Sequence, residues 1–542
     1  MVQSYDGIII GSGPNGLTLG AYLAKAGLKI LILEKRFEIG GGLATEQVTL
    51  PGFLINTHAV YMPMVDYAPV FQDLQLERTY DLEFIYPPVI MSMPLADGRS
   101  LCLYADPERT ARSIARFSEK DAGTYIEMHQ RFKWMMDDFL APATYMPPKP
   151  ALDAVVELER SEVGRAIDEL RLKTPRDIVD DLFENDVVRT LFLYAATMWG
   201  LDYDLDGISF LVPLLINRAT NYRLCAGGSH HLAHVLYKTV VENGGRALSC
   251  ATVEKIIIEN GRATGVRVED GTVYEAKKFV ASSLDPHQTF LRLAGEENLD
   301  PELARRVRDW AWEKYSLFDV HLALSEAPRF KAAELNPDLN NSLMYVVGYE
   351  SQEQLIDHLD ATRRGKLLTD GGFNCCFPSI HDRRQAPPGK HTGRLSQHAP
   401  YRLQDGGPEA WYRIREEHAL RVINTLTRYA PNITEDVIMW HNMSTPLDIQ
   451  NKFPNMVEGS IKQGAYLPFQ MGYTRPNEYC SQCNTPIPGL YVCGASVYPG
   501  GLCLMGPGYL CAEAIVKDLE IKKWWQQPGS ISRAIEKGVL YY

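Results

Sequence analysis

Tyr5-Asp6-Gly7-Ile8-Ile9-Ile10, followed at once by Gly11-Ser12-Gly13-Pro14-Asn15-Gly16, is the stretch that decides how this chain folds. The first six residues form a short apolar run of the kind buried in a parallel sheet. The next six are a GxGxxG. Leu17 to Ala26 then places Leu and Ala on one side of a helix, and Gly27 stands where that helix must stop. Leu28 to Leu33 is a second apolar strand, and it ends on Glu34. Gly11 permits the tight strand-to-helix turn, Gly13 lets a pyrophosphate approach the backbone, and Gly16 lets helix and strand pack closely. The helix N-terminus meets the phosphate charge with unpaired N–H groups. Glu34, 23 residues after Gly11, is placed to accept hydrogen bonds from ribose hydroxyls. A GxGxxG alone is weak evidence. Between a strand and a helix, with an acid closing the next strand, it has the context a dinucleotide site requires.

The bulk numbers bound the rest. A chain of 542 residues exceeds the roughly 250–300 residues one core supports, so two domains are expected. Hydrophobic residues at 45% and charged residues at 23% are ordinary for a folded enzyme. A net charge of −12 argues against a broad nucleic-acid-binding face, which needs clustered Lys and Arg. No apolar run reaches the length of a membrane-spanning helix, and Met1 to Asp6 leads straight into a strand without a signal-peptide pattern, which points to the cytoplasm. The ten cysteines are scattered, and Cys480-Ser-Gln-Cys483 lacks the second ligand pair a structural zinc needs. Cys375-Cys376 do not supply it, so no metal is expected.

After Glu34-Lys35-Arg36 comes Gly40-Gly41-Gly42-Leu43-Ala44-Thr45, then Pro51-Gly52-Phe53. Farther on, Ala226-Gly227-Gly228 precedes a helix over Leu232 to Glu242. Val253 to Glu259 then leads into Asn260-Gly261 and Asp270-Gly271, two strong hairpin turns. Near the end, Pro488-Gly489-Leu490-Tyr491-Val492-Cys493-Gly494-Ala495-Ser496 reads as a strand into a glycine-rich turn. Gly506-Pro507-Gly508 then opens a helix from about Tyr509 to Leu519, a second N–H-lined phosphate site.

Together these stretches resemble the phytoene desaturase and carotenoid oxidoreductase-like FAD-dependent flavoproteins of the amine oxidase superfamily. They are most similar to the branch of pyridine nucleotide-disulphide oxidoreductase domain-containing proteins. The resemblance covers most of the chain, with Phe377-Pro378-Ser379, Asp382, Ala386 to His391 and Thr445-Pro446-Leu447-Asp448 as further landmarks. It implies an α/β fold in which a glutathione-reductase-type Rossmann-like FAD-binding domain (1–75, 220–300 and 465–520) is interleaved with an α+β substrate domain. That second domain (76–219 and 301–464) has a mixed sheet and a helical lid, and 521–542 form a C-terminal tail. It implies FAD held by Gly11, Gly13, Pro14, Asn15, Gly16, Glu34, Lys35, Gly41, Gly42, Leu43, Ala44, Val253, Gly494, Ala495, Gly506, Gly508 and Tyr509. Between Thr445-Pro446-Leu447-Asp448 and the Arg475-Pro476 landmark the chain departs from the family pattern, reading Phe453 to Ser460 where relatives often carry a Gly-Asn and a His-Gly pair near the flavin, which bears on the substrate rather than the cofactor.

No second strand-GxGxxG-helix unit follows, so a separate NAD(P)H domain is not expected. A chain with one flavin site passes electrons to oxygen, a quinone or another diffusing acceptor. The leading expectation is a dehydrogenase or desaturase taking hydride from a mostly apolar or amphipathic molecule. A redox-neutral isomerase and a non-enzymatic flavoprotein are the alternatives. For the catalytic group, His58 comes first because it follows the Pro51-Gly52-Phe53 landmark, with Tyr61 and Tyr498 behind it. A structural role weighs at least as heavily for each. The Met- and aromatic-rich segments Phe132 to Leu140, Tyr145 to Pro148 and Thr197 to Leu201 read as helical core before they read as a greasy lid. In the family such segments also touch membranes, and homodimers are compatible with it. Lys522-Lys523-Trp524-Trp525 reads as packing on its own domain or on a second copy of the chain, ahead of a membrane interface.

Overall fold

A computed structural model describes residues 3–501 and 505–542 of the protein; Cys503 lies outside the described residues. Two seven-stranded sheets carry the fold. In the first, strand Gln3–Ile10 lies between Ile30–Leu33 and Val273–Ser282, parallel to both, and Arg246–Leu248 extends the parallel edge. Ile8, Ile9, Leu31, Ile32 and Val280 are fully buried, which is why these strands read as unbroken apolar runs. The long strand Val273–Ser282 does two jobs. Its first half pairs antiparallel with Arg262–Val268, and its last three residues pair parallel with Leu490–Val492. The C-terminal segment thus joins the sheet that the first residues began. Asn260 and Gly261 both take positive φ (52° and 74°) in the two-residue turn between Val253–Glu259 and Arg262–Val268, as the Asn-Gly pair predicts.

Helix boundaries shift by a few residues from the sequence expectation. The first helix spans Pro14–Lys25 and the last of the glycine-rich pair spans Gly506–Asp518. In each, proline occupies the first turn, where its missing N–H costs nothing.

The second sheet is mixed. Its strands run in the order Ile438–Ser444, Ser316–Leu324, His391–Ala399, Phe373–Cys376, Ser342–Val347, Val89–Pro94 and Ser100–Tyr104. Helix Trp411–Tyr429 packs on one face, where Phe318 stacks on Trp411 with ring centroids 5.4 Å apart. Residues alternate faces along a strand, so Leu317 and Asp319 point the other way, toward the first sheet. Helices between residues 107 and 218 close that side. Phe132, Met135 and Met136 are at most 3% exposed and form plain core, whereas Met198 and Trp199 line a cavity.

The C-terminal residues are packed rather than trailing. Trp524 donates to the Tyr22 carbonyl (3.0 Å) and Trp525 to Glu513 (2.6 Å), both against the first helix and its neighbour. Among the described residues, no helix is long and apolar enough to cross a membrane.

Several histidines are buried in the second sheet and its supports. His358 sits between the Tyr349 hydroxyl (2.7 Å) and the His398 carbonyl (3.1 Å), and His418 meets Gln397 at 2.7 Å. Burial holds His321, His358 and His418 at about 4 and His398 at about 3. Below the ordinary histidine value the unfolded chain takes up protons that the folded chain refuses. Stability should therefore fall as pH drops from about 6.5 toward 4, by roughly 1 kcal/mol per pH unit for each such histidine. Denaturant midpoints across that range check this, and a flat profile would contradict it.

Candidate active site

The site begins at the glycine turn. Gly11 has φ +91°, and a Cβ there would lie 2.4 Å from Ser283 Oγ, which itself donates to the Ile10 carbonyl at 2.9 Å. At Gly16 a Cβ would lie 2.1 Å from the Gly11 carbonyl oxygen. Both glycines are required by the protein's own backbone. Gly13 is different. Its φ of −64° suits any residue, and a Cβ there meets nothing within 4 Å. Gly41 borders the same space, since a Cβ on it would come 3.1 Å from Gly13 Cα. The fold leaves Gly13 room for a side chain, so packing does not require a glycine there.

The far end of the chain arrives at the same place. A Cβ on Gly494 would lie 2.4 Å from the Ser283 carbonyl, so Ser283 braces both turns. Gly508 lies against Asn15, with its N–H 3.4 Å from Asn15 Oδ1. The starts of helices Pro14–Lys25 and Gly506–Asp518 are thereby side by side, where backbone N–H groups lack intrahelical acceptors. Gly506 begins the second helix and is buried. The Ala495 carbonyl is held by Arg475 at 2.9 Å. Leu43 and Ala44 are buried; the Ala44 carbonyl receives Thr57 N–H (3.2 Å) and the Gly42 carbonyl receives Ala59 N–H (3.0 Å). The recess at Gly13 and Gly41 and the paired helix starts fit the pyrophosphate of an FAD.

Glu34 has a structural duty of its own. Its carboxylate accepts from Ser12 N–H (2.9 Å), Ser12 Oγ (2.7 Å) and Arg36 N–H (2.9 Å). These contacts leave about one of a carboxylate's four acceptor positions open. The Glu34 carbonyl also receives Ala251 N–H at 2.8 Å, which brings Val253 alongside. A Glu34→Ala variant is expected to retain FAD about 10- to 100-fold less tightly, from lost charge-assisted hydrogen bonds. Flavin remaining after serial dilution measures it, and unchanged retention would contradict it.

A cavity of about 190 Å³ lies between the glycine turns and the second sheet. Gly42, Gly501, His58 and Tyr61 border it. His58 Nε2 is buried without a hydrogen-bond partner among the described residues. Burial, and then the charges of Lys452 and Arg394, hold this imidazole well below its usual range, so it is neutral near pH 7. Phe453 packs edge-on to it at 4.7 Å, which places the divergent Phe453 to Ser460 segment at the cavity wall together with Met456. Burial pushes the Tyr61 phenol up, with the Cys376 thiol as its polar neighbour.

The structure separates Tyr498 from these two. Its hydroxyl donates to the Ala143 carbonyl at 2.8 Å, and it borders a second, apolar cavity of about 260 Å³. Tyr498 is a packing residue here. Tyr509 sits on the right helix, but its ring packs on Tyr22 and Tyr145, with centroids 5.6 and 6.1 Å away. Lys35 is exposed. Sequence reasoning missed Ser283, Asp319, Asn374 and Arg394. Only Ser283 had a local signal, as a small polar residue closing the third parallel strand.

Residues 9–75 match the family of NAD(P)-binding Rossmann-like domains. Over essentially its full length the chain is 38% identical to a limonene dehydrogenase subunit of Castellaniella defragrans, covering 99% of each. It is 25% identical to pyridine nucleotide-disulfide oxidoreductase domain-containing protein 2 of Mus musculus (95% of this chain, 94% of that one). It is 22% identical to the neurosporene-forming phytoene desaturase of Rhodobacter capsulatus (94% and 93%). Cyclohexylamine oxidase from Brevibacterium oxydans shares the fold, with a TM-score of 0.57 at 15% identity over 95% of this chain and 99% of that one.

Proposed function

The chain belongs to the phytoene desaturase-like family of FAD-dependent oxidoreductases, and on that premise we propose that it dehydrogenates an apolar organic molecule in the cavity beside His58. The observation that carries the reading is the position of that cavity, which runs from Gly42, next to the Gly13 recess, to Gly501 on the closing turn. Bound FAD supplies the two-electron hydride acceptor. The protein's own part is to orient the substrate, exclude water and receive the proton. Met62, Met198, Trp199, Ile449 and Met456 make the wall apolar. His58 Nε2, neutral and without a hydrogen-bond partner among the described residues, accepts the proton. Electrons leave to a diffusing acceptor.

The relative's name supports an apolar substrate of limonene's class, and its being one subunit of a dehydrogenase supports a companion chain. Peripheral membrane contact is supported by helix Ala151–Glu159, which turns Leu152, Val155 and Val156 outward at 76%, 47% and 46% exposure. Product analysis tests the activity. With limonene or a linear polyene and an artificial two-electron acceptor, product should lose two hydrogens per acceptor reduced. Conversion without any acceptor would overturn the dehydrogenase reading.

A further inference from the structure

The cavity has one wall that an apolar substrate does not need. On the face of the second sheet turned toward the first, Asp319, Arg394, Ser396 and Asn374 stand on three adjacent strands, with Asp319 opposite Ser396 and Asn374 also opposite Ser396. Arg394 and Asp319 side chains are 9% and 1% exposed. The guanidinium binds Asp319 through Nε (3.1 Å) and Nη2 (3.0 Å), and its Nη1 donates to the His58 carbonyl. A guanidinium carries five N–H donors. Three are spent, and two have no acceptor among the described residues. Asn374 spends its N–H donors on the Tyr194 hydroxyl (2.8 Å) and the Ser396 carbonyl (3.4 Å). Its own side-chain carbonyl and the Ser396 hydroxyl carry no hydrogen bond among the described residues.

A buried ion pair is weak ground for stability, since well-packed apolar residues do as well. Set into a cavity wall with donors and acceptors left over, it is a recognition device. We propose that the substrate carries a neutral oxygen, a hydroxyl or carbonyl, which Arg394 receives while Asn374 and Ser396 flank it, and that its remaining surface is hydrocarbon. This rests on the dehydrogenase reading above and narrows its substrate class. Charge decides against a carboxylate. Asp319 already neutralises the guanidinium, and Lys452 is paired with Glu46, so an anion would enter without a free counter-charge. The apolar walls opposite decide against a polar molecule such as a sugar.

The test uses the flavin-loaded full chain and four probes on one carbon skeleton: limonene, its primary alcohol, the corresponding aldehyde and the corresponding carboxylate. Binding is read from perturbation of the flavin absorbance. The alcohol or aldehyde should bind about tenfold or more tightly than the hydrocarbon, as expected when partners for a buried polar group are otherwise unmet, and the carboxylate should not. Because Arg394→Met alone strands Asp319, the paired variant R394M/D319L is used, which replaces the ion pair by apolar residues. It should keep its flavin and lose the preference. Equal or tighter binding of the hydrocarbon to the native chain, tightest binding of the carboxylate, or a preference unchanged in the paired variant would each overturn the proposal. Failure of the wider reading looks different, because oxygenated probes would then bind with preference while no probe bleaches the flavin under anaerobic conditions.

Discussion

A Gly13→Val variant is expected to fold and to purify without flavin. The backbone at Gly13 is in a region open to every residue, and a Cβ there has no protein atom within 4 Å. Valine therefore costs the folded chain little. It fills the recess beside Gly41 where a pyrophosphate must meet the helix start. The matched control is Gly16→Val, whose Cβ would sit 2.1 Å from the Gly11 carbonyl. That substitution should lower thermal stability sharply. Far-ultraviolet circular dichroism, melting temperature and released flavin per chain separate the two. Normal flavin content in Gly13→Val would place the cofactor elsewhere, and a misfolded Gly13→Val would deny that the recess is spare room.

The second large effect concerns His58. A His58→Ala variant should retain FAD and lose about 10²- to 10⁴-fold in the rate of flavin reduction by substrate, the usual range for removing a positioned base. Reoxidation by acceptor should be unaffected. The anchor that His58 provides to Arg394 is its backbone carbonyl, which the substitution leaves in place. Added imidazole should restore part of the rate. Because burial and neighbouring cations hold the His58 imidazole well below its usual value, the native rate should stay level above pH 6.5 and fall only well below it, where the base becomes protonated. Unaltered reduction by a substrate in His58→Ala would return His58 to a packing role.

The glycine turns were legible because they are local. Gly11, Gly13, Gly16 and Glu34 lie on one strand–helix–strand unit, and the spacing of such a unit fixes its geometry. Gly494 and Gly508 were legible for the same reason. The cavity was not. Arg394 meets Asp319 from 75 positions away and His58 from 336 away. Nothing in Thr392-Gly393-Arg394 announces either partner. Tyr498 shows the complementary failure. It follows the glycine-rich turn in sequence, but neighbourhood along the chain does not set the direction of a side chain, and its hydroxyl faces Ala143. Glu34 shows a third case. Its position was read from the motif, while its service to Ser12 and Arg36 required the folded turn.

We propose that the Gly13 recess would hold a flavin, and that the cavity beside His58 would present a largely apolar molecule to it for hydride removal. The most direct measurement is the anaerobic absorbance spectrum of the purified chain before and after addition of limonene and its oxygenated counterparts. Loss of the oxidised flavin band, with recovery on admission of an acceptor, is the predicted result. A flavin band left unchanged by every one of these molecules, with each shown to occupy the site, would contradict it.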